Sequence, residues 1–101
     1  MKHTMKEMAA ITDSGITEKE FEAVKAEAQK QVDKWGVQTR TPFEWECYTQ
    51  EEAGELSQAI ADHYYGRGTK EKVIKEAIQT ATLCLKIARM YDVWELEGKG
   101  K

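Results

Sequence analysis

With 101 residues, 41% of them hydrophobic, the chain is long enough for one domain with a modest core and too apolar to stay unfolded. Its net charge of −3 argues against nucleic acid as a partner, since phosphate backbones are bound by a basic face. No run reaches the roughly 18 apolar residues of a membrane span and no signal-peptide core follows the start, so no membrane partner and a cytoplasmic location are expected.

One proline and seven glycines favour long helices over a sheet. Residues 1–16 carry little periodicity and end in the turn-like Thr12-Asp13-Ser14-Gly15. They are expected to form a flexible N-terminal arm, with a short helical turn around residues 5–11. Residues 17–95 then read as a single all-α domain. Thr17 with Glu20 is a capping-box pattern. Behind it Phe21, Val24, Ala28, Val32 and Trp35 recur at three- and four-residue steps, which predicts one buried stripe. Gly36 ends that helix.

After a polar connector, Thr41-Pro42-Phe43-Glu44 gives a second capping box with proline at the first helical position. The second helix is expected to reach about residue 65, with Phe43, Cys47, Ala53, Leu56, Ile60 and Tyr64 on its apolar stripe. Gly54 costs about 1 kcal/mol in a helix interior relative to alanine, and close approach of a neighbour would justify it. Gly66-Arg67-Gly68 breaks the chain, and Thr69 caps a third helix over about residues 70–94. There Ala77, Ile78, Ala81, Leu83, Cys84, Leu85, Ile87 and Ala88 cover more than one face, while Gln79, Thr82, Lys86 and Arg89 form the polar line. A helix apolar on two sides needs more cover than two neighbours give, so a homo-oligomer, dimer or tetramer, is expected to complete the bundle. Cys47 and Cys84 are expected to be reduced and buried. Residues 96–101 are expected to form a flexible tail.

The chemistry concentrates in Glu51-Glu52-Ala53-Gly54-Glu55-Leu56. Helix positions three and four apart are neighbours, so these carboxylates repel one another by a few tenths of a kcal/mol per pair. If the second and third helices pair antiparallel, Glu76 and Gln79 come level with Glu52 and Glu55. Carboxylates converging there need a compensating charge, and a hard cation such as Mg²⁺ or Mn²⁺ provides it. The alternative is a solvated acidic face, ordinary in a chain one-third charged.

Glu52-x-x-Glu55, twenty residues, then Glu76-x-x-Gln79 resembles the ExxE…ExxD signature of the MazG-like all-α nucleoside triphosphate pyrophosphohydrolases. Trp35-Gly36-x-Gln38, Thr41-Pro42-x-Glu44-Trp45 and Ala59-Ile60 are similar to the small stand-alone members, and the resemblance spans about residues 30–90. It implies a MazG-like helical bundle of long antiparallel helices that cleaves a (d)NTP to (d)NMP and pyrophosphate in a house-cleaning role. By position it makes Glu52, Glu55 and Glu76 ligands of Mg²⁺, with Gln79 in the fourth place. Glu51 is implied as a further acidic residue that orients water or binds a second ion. A carboxylate such as Glu51 or Glu55 could take the proton of the attacking water. The departure is Gln79, where the family has Asp: an amide oxygen can coordinate but brings no charge. A member that binds nucleotide or metal without hydrolysing it is therefore the alternative, and a purely structural helical adaptor a third reading. Lys86, Arg89, Lys72 and Arg67 are candidate phosphate partners; Trp35, Phe43, Trp45, Tyr48 and Tyr64 are candidate stacking groups. Trp35, Gln38, Trp45 and Lys86 make up the expected substrate-binding set.

Overall fold

A threonine opens every described helix. Thr4, Thr17, Thr41 and Thr69 are the N-caps of α1 (Met5–Asp13), α2 (Glu18–Trp35), α3 (Pro42–Tyr64) and α4 (Lys70–Asp92). The computed structural model describes residues 2–94, and among them there are these four helices and no strand. The all-α expectation holds; the expected tail at 96–101 lies outside the described residues. At α1 and α3 the cap hydroxyl accepts from the backbone of Glu7 or Glu44 at 3.1 Å, and that glutamate accepts from the cap backbone at 2.8 Å. At α2 the Thr17 hydroxyl instead donates to Glu20 at 2.7 Å. These bonds hold Glu7, Glu20 and Glu44 below the usual carboxylate range.

The Thr4–Glu7 box explains why residues 5–13 form a nine-residue helix where only a short turn was expected. α1 buries nothing and packs against none of the other helices. The rest is organised on α4. Both α3 and α2 pack on it, and α2 and α3 do not pack on one another. The α3–α4 turn fits because Gly66 takes φ +76°, and a Cβ at Gly68 would meet the Asp62 Cβ at 3.0 Å. Arg67 closes the turn from its backbone to the Asp62 carbonyl at 2.7 Å.

The buried residues are Trp45 and Ala59 on α3, and Glu76, Thr82 and Leu83 on α4. This corrects several expectations. On α3 the inward direction runs through Trp45 and Ala59, which leaves Phe43, 86% exposed, Cys47, Ile60 and Tyr64 facing outward. The expected α2 stripe is half-covered at Val24 and Ala28 but exposed at Phe21, Val32 and Trp35. Cys47 and Cys84 are both free thiols, yet exposed. Nothing stands within 4 Å of the place a Cβ would take at Gly54, so no close neighbour within the chain accounts for that glycine. The radius of gyration, 16.4 Å, exceeds the roughly 13 Å of a compact domain this long, as an unpacked α1 and an open three-helix arrangement require. No described helix is long and apolar enough to cross a membrane.

Candidate functional site

Because α2 and α3 both pack on α4 and not on one another, a groove of about 510 Å³ runs between them. Its walls follow helical spacing. α2 contributes Glu27, Lys30, Gln31, Lys34 and Trp35; α3 contributes Trp45, Tyr48 and Glu52; α4 contributes Lys75, Gln79 and Leu83. Gln38 and Arg40 close one end from the α2–α3 connector. The Arg40 guanidinium lies 4.4 Å from the Tyr48 ring centroid and 5.7 Å from that of Trp45, and it donates to the Tyr48 hydroxyl at 3.0 Å.

At the other end lie the carboxylates. Glu52, Glu55 and Glu76 each place an oxygen within 4.8 Å of the others. Glu76 is 2% exposed, and its Oε2 accepts no hydrogen bond. Its nearest cation is Lys72, with Nζ at 3.9 Å, more than half exposed and therefore a weak partner. Burial, with the neighbouring Glu55 and Glu76 carboxylates, pushes the Glu52 carboxyl up to about 7. Burial and hydrogen bonding with Glu55 push Glu76 up as well, against the pull of Lys72. Glu52 and Glu76 are thus held where ionisation is costly.

Gln79 sits between them. With its amide placed by its hydrogen bonds, the NH₂ donates to Glu52 Oε2 at 3.1 Å and to Glu76 Oε1 at 2.7 Å. It acts as a neutral bridge across two carboxylates from different helices.

The structure therefore brings together Glu52, Glu55, Glu76 and Gln79, and it sets Trp35, Gln38 and Trp45 on the same groove. Glu51 is exposed and lies outside the cluster, since one residue from Glu52 is a 100° turn around the helix. Lys86 does not line the main groove. It sits behind Trp45, 5.4 Å from the ring centroid, donating to Gln31 Oε1, and lines a smaller cavity of about 310 Å³ with Val32, Val37, Arg89 and Met90. Burial lowers its pKa. Of the other expected phosphate partners, Arg67 is engaged with Asp62 at 3.5 Å and Arg89 with Asp92 at 3.0 Å, while Lys72 stands beside the cluster, 3.9 Å from Glu76.

The groove's cations are Lys30, Lys34, Arg40 and Lys75, none of which the sequence singled out. A signal existed in the period of Glu27, Lys30, Gln31 and Lys34, a polar strip running alongside the apolar one on α2. Compared with family models, curated proteins and solved structures, the chain matches none.

Proposed function

We propose that the chain is a Mg²⁺-dependent nucleoside triphosphate pyrophosphohydrolase of the MazG-like kind, splitting a (d)NTP into (d)NMP and pyrophosphate. One observation carries this reading: a buried carboxylate with an orphaned oxygen, Glu76 Oε2, belongs to a three-carboxylate cluster at one end of an aromatic and cationic groove. The donor set fits a hard divalent cation, Mg²⁺ or Mn²⁺, with Glu52, Glu55 and Glu76 as its ligands and the Gln79 amide oxygen available after a flip. Such an ion supplies charge neutralisation on phosphate oxygens and a lower pKa for bound water. The protein's own groups do the rest. Lys30, Lys34 and Lys75 draw the phosphates along the groove, and Trp35, Trp45 and Tyr48 offer faces for a base. Glu55, the exposed member of the cluster, is the carboxylate placed to take a proton from the attacking water.

The second reading, a module that binds nucleotide or metal without turnover, is favoured by the two hydrogen bonds that Gln79 makes across the cluster. A (d)NTP panel with pyrophosphate detection separates the two. Hydrolysis of at least one (d)NTP is expected, abolished by EDTA and reduced at least 100-fold by Glu52→Ala or Glu55→Ala. Thermal stabilisation by nucleotide without product would establish the binding module instead. If neither Mg²⁺, Mn²⁺ nor nucleotide moves the melting curve, the helical adaptor remains.

The proposal includes self-association. Ile74 and Leu85 lie on the outer face of α4, 56% and 53% exposed, with Cys84 and Ala88 beside them. Apolar faces of this kind are normally covered. Sedimentation at micromolar concentration should show a dimer or larger, shifted toward monomer by Leu85→Glu; a wild-type species of 11.6 kDa would refute it.

A further inference from the structure

Glu27 is the carboxylate of the groove wall that lies outside the Glu52-x-x-Glu55…Glu76-x-x-Gln79 pattern. It stands on α2, the helix that contributes nothing to that pattern. Its Oε2 accepts from Gln31 Nε2 at 2.9 Å, and Gln31 Oε1 accepts from Lys86 Nζ. Both ends of the Gln31 amide are engaged, so its donor end is held toward Glu27 and its acceptor end toward α4. Glu27 thus stands in the wall of the same groove that Glu52 and Gln79 line from α3 and α4. Independently, the buried and orphaned Glu76 Oε2 marks the cluster as a seat for a cation.

We propose that Glu27 is the fourth carboxylate of the cation-binding end, acting on the ion through a bound water, and that the Lys86–Gln31–Glu27 chain holds it in place. The inference rests on the metal-site reading above and adds to it a residue from a third helix. Glu27 is not among the carboxylates whose oxygens lie within 4.8 Å of one another, so it is not a direct ligand in this geometry. It does restore the unit of negative charge that Gln79 leaves out. Mg²⁺ and its analogues keep several waters, which suits an acceptor one water away. Outer partners of this sort are worth about 10–100-fold in metal affinity.

Titration of the full chain with Mn²⁺ alone, with metal-free melting temperatures alongside, tests this. Glu27→Gln keeps an acceptor for Gln31 and is expected to fold as the wild type does while binding Mn²⁺ about 10–100-fold more weakly. Gln31→Leu, which cuts the chain, should weaken binding by a smaller factor. Glu22→Gln removes an exposed carboxylate of the same helix, paired with Lys25 at 3.9 Å, and should leave affinity unchanged. A loss below tenfold in Glu27→Gln, or an equal loss in Glu22→Gln, overturns the role of Glu27 and leaves the cluster intact. A wild-type chain that binds no Mn²⁺ overturns the metal site itself, and this inference with it.

Discussion

Glu76→Gln is expected to raise the melting temperature of the metal-free protein and, in the same substitution, to abolish its stabilisation by Mg²⁺. The carboxylate is 2% exposed, and one of its oxygens has no donor. An unsatisfied buried polar atom costs about 1–3 kcal/mol, and more when charged. The isosteric amide keeps an acceptor for Gln79 and sheds the charge. What it gives up is Lys72 at 3.9 Å, an exposed partner worth little. A gain of roughly 1 kcal/mol corresponds to about 4–8 °C in a chain of this size. The gain depends on pH with a definite sign. Glu52, at about 7, and Glu76 both hold their protons more tightly when folded than when unfolded. Their contribution to stability is therefore full below the ordinary carboxylate value of 4.5; that of Glu52 is lost as pH rises through about 7, and that of Glu76 as pH rises through its own raised value. The metal-free wild type should melt lower at pH 8 than at pH 5, and the advantage of Glu76→Gln should grow over that interval. With Mg²⁺ at a hundred times its Kd the wild type gains about 2.7 kcal/mol. Metal and proton compete for the same oxygens, so that gain is larger at pH 8. A Glu76→Gln chain destabilised without metal at both pH values would mean that the carboxylate is a structural partner and the cluster no cation seat.

Much of the fold was legible because the signals were local. Thr17 with Glu20, Thr41-Pro42 with Glu44, and Gly66-Arg67-Gly68 before Thr69 set the bounds of α2, α3 and α4 to within two residues among the described positions. Thr4 with Glu7 carries the same information for α1, but the residues behind it show little periodicity, and α1 buries none of them. Which face of each helix turns inward was harder to see. The spacing puts Phe43 on the inward stripe of α3, and only the packing of α3 on α4 decides that Trp45 is buried instead. The site divides in the same way. Glu52, Glu55, Glu76 and Gln79 are tied by spacing on two helices joined by a short turn, so their meeting followed from helix geometry. Lys30, Lys34, Arg40 and Lys75 enter the groove because α2 docks on α4 and not on α3, a tertiary choice that no local pattern records.

Gln79→Asp is expected to lower the stability of the metal-free protein and to raise its metal affinity. In the metal-free protein the Gln79 amide donates to Glu52 Oε2 at 3.1 Å and to Glu76 Oε1 at 2.7 Å. Hydrogen bonds to charged groups contribute about 1.5–3 kcal/mol each, so this amide does, as a neutral donor, part of what a cation would do. Aspartate removes both donors and adds a fourth carboxylate to a cluster in which ionisation of Glu52 and Glu76 is already costly. The metal-free variant should lose about 2–4 kcal/mol on that basis, most of it above pH 7, where the acids are charged. The same change adds a unit of charge and a hard ligand oxygen on the side of the cluster that α4 supplies. Mn²⁺ affinity should rise at least tenfold, about 1.4 kcal/mol, and pyrophosphate release should rise with it if the wild type is limited by a loosely held ion. The outcome also separates the two readings of the wild type. An enzyme that works with Gln79 must turn the amide over to bring its oxygen to the ion, breaking two hydrogen bonds in doing so; a binding module has no such need. Unchanged Mn²⁺ affinity in Gln79→Asp would show that position 79 does not face a cation at all, and the acidic cluster would then have to be explained by the two hydrogen bonds of its glutamine alone.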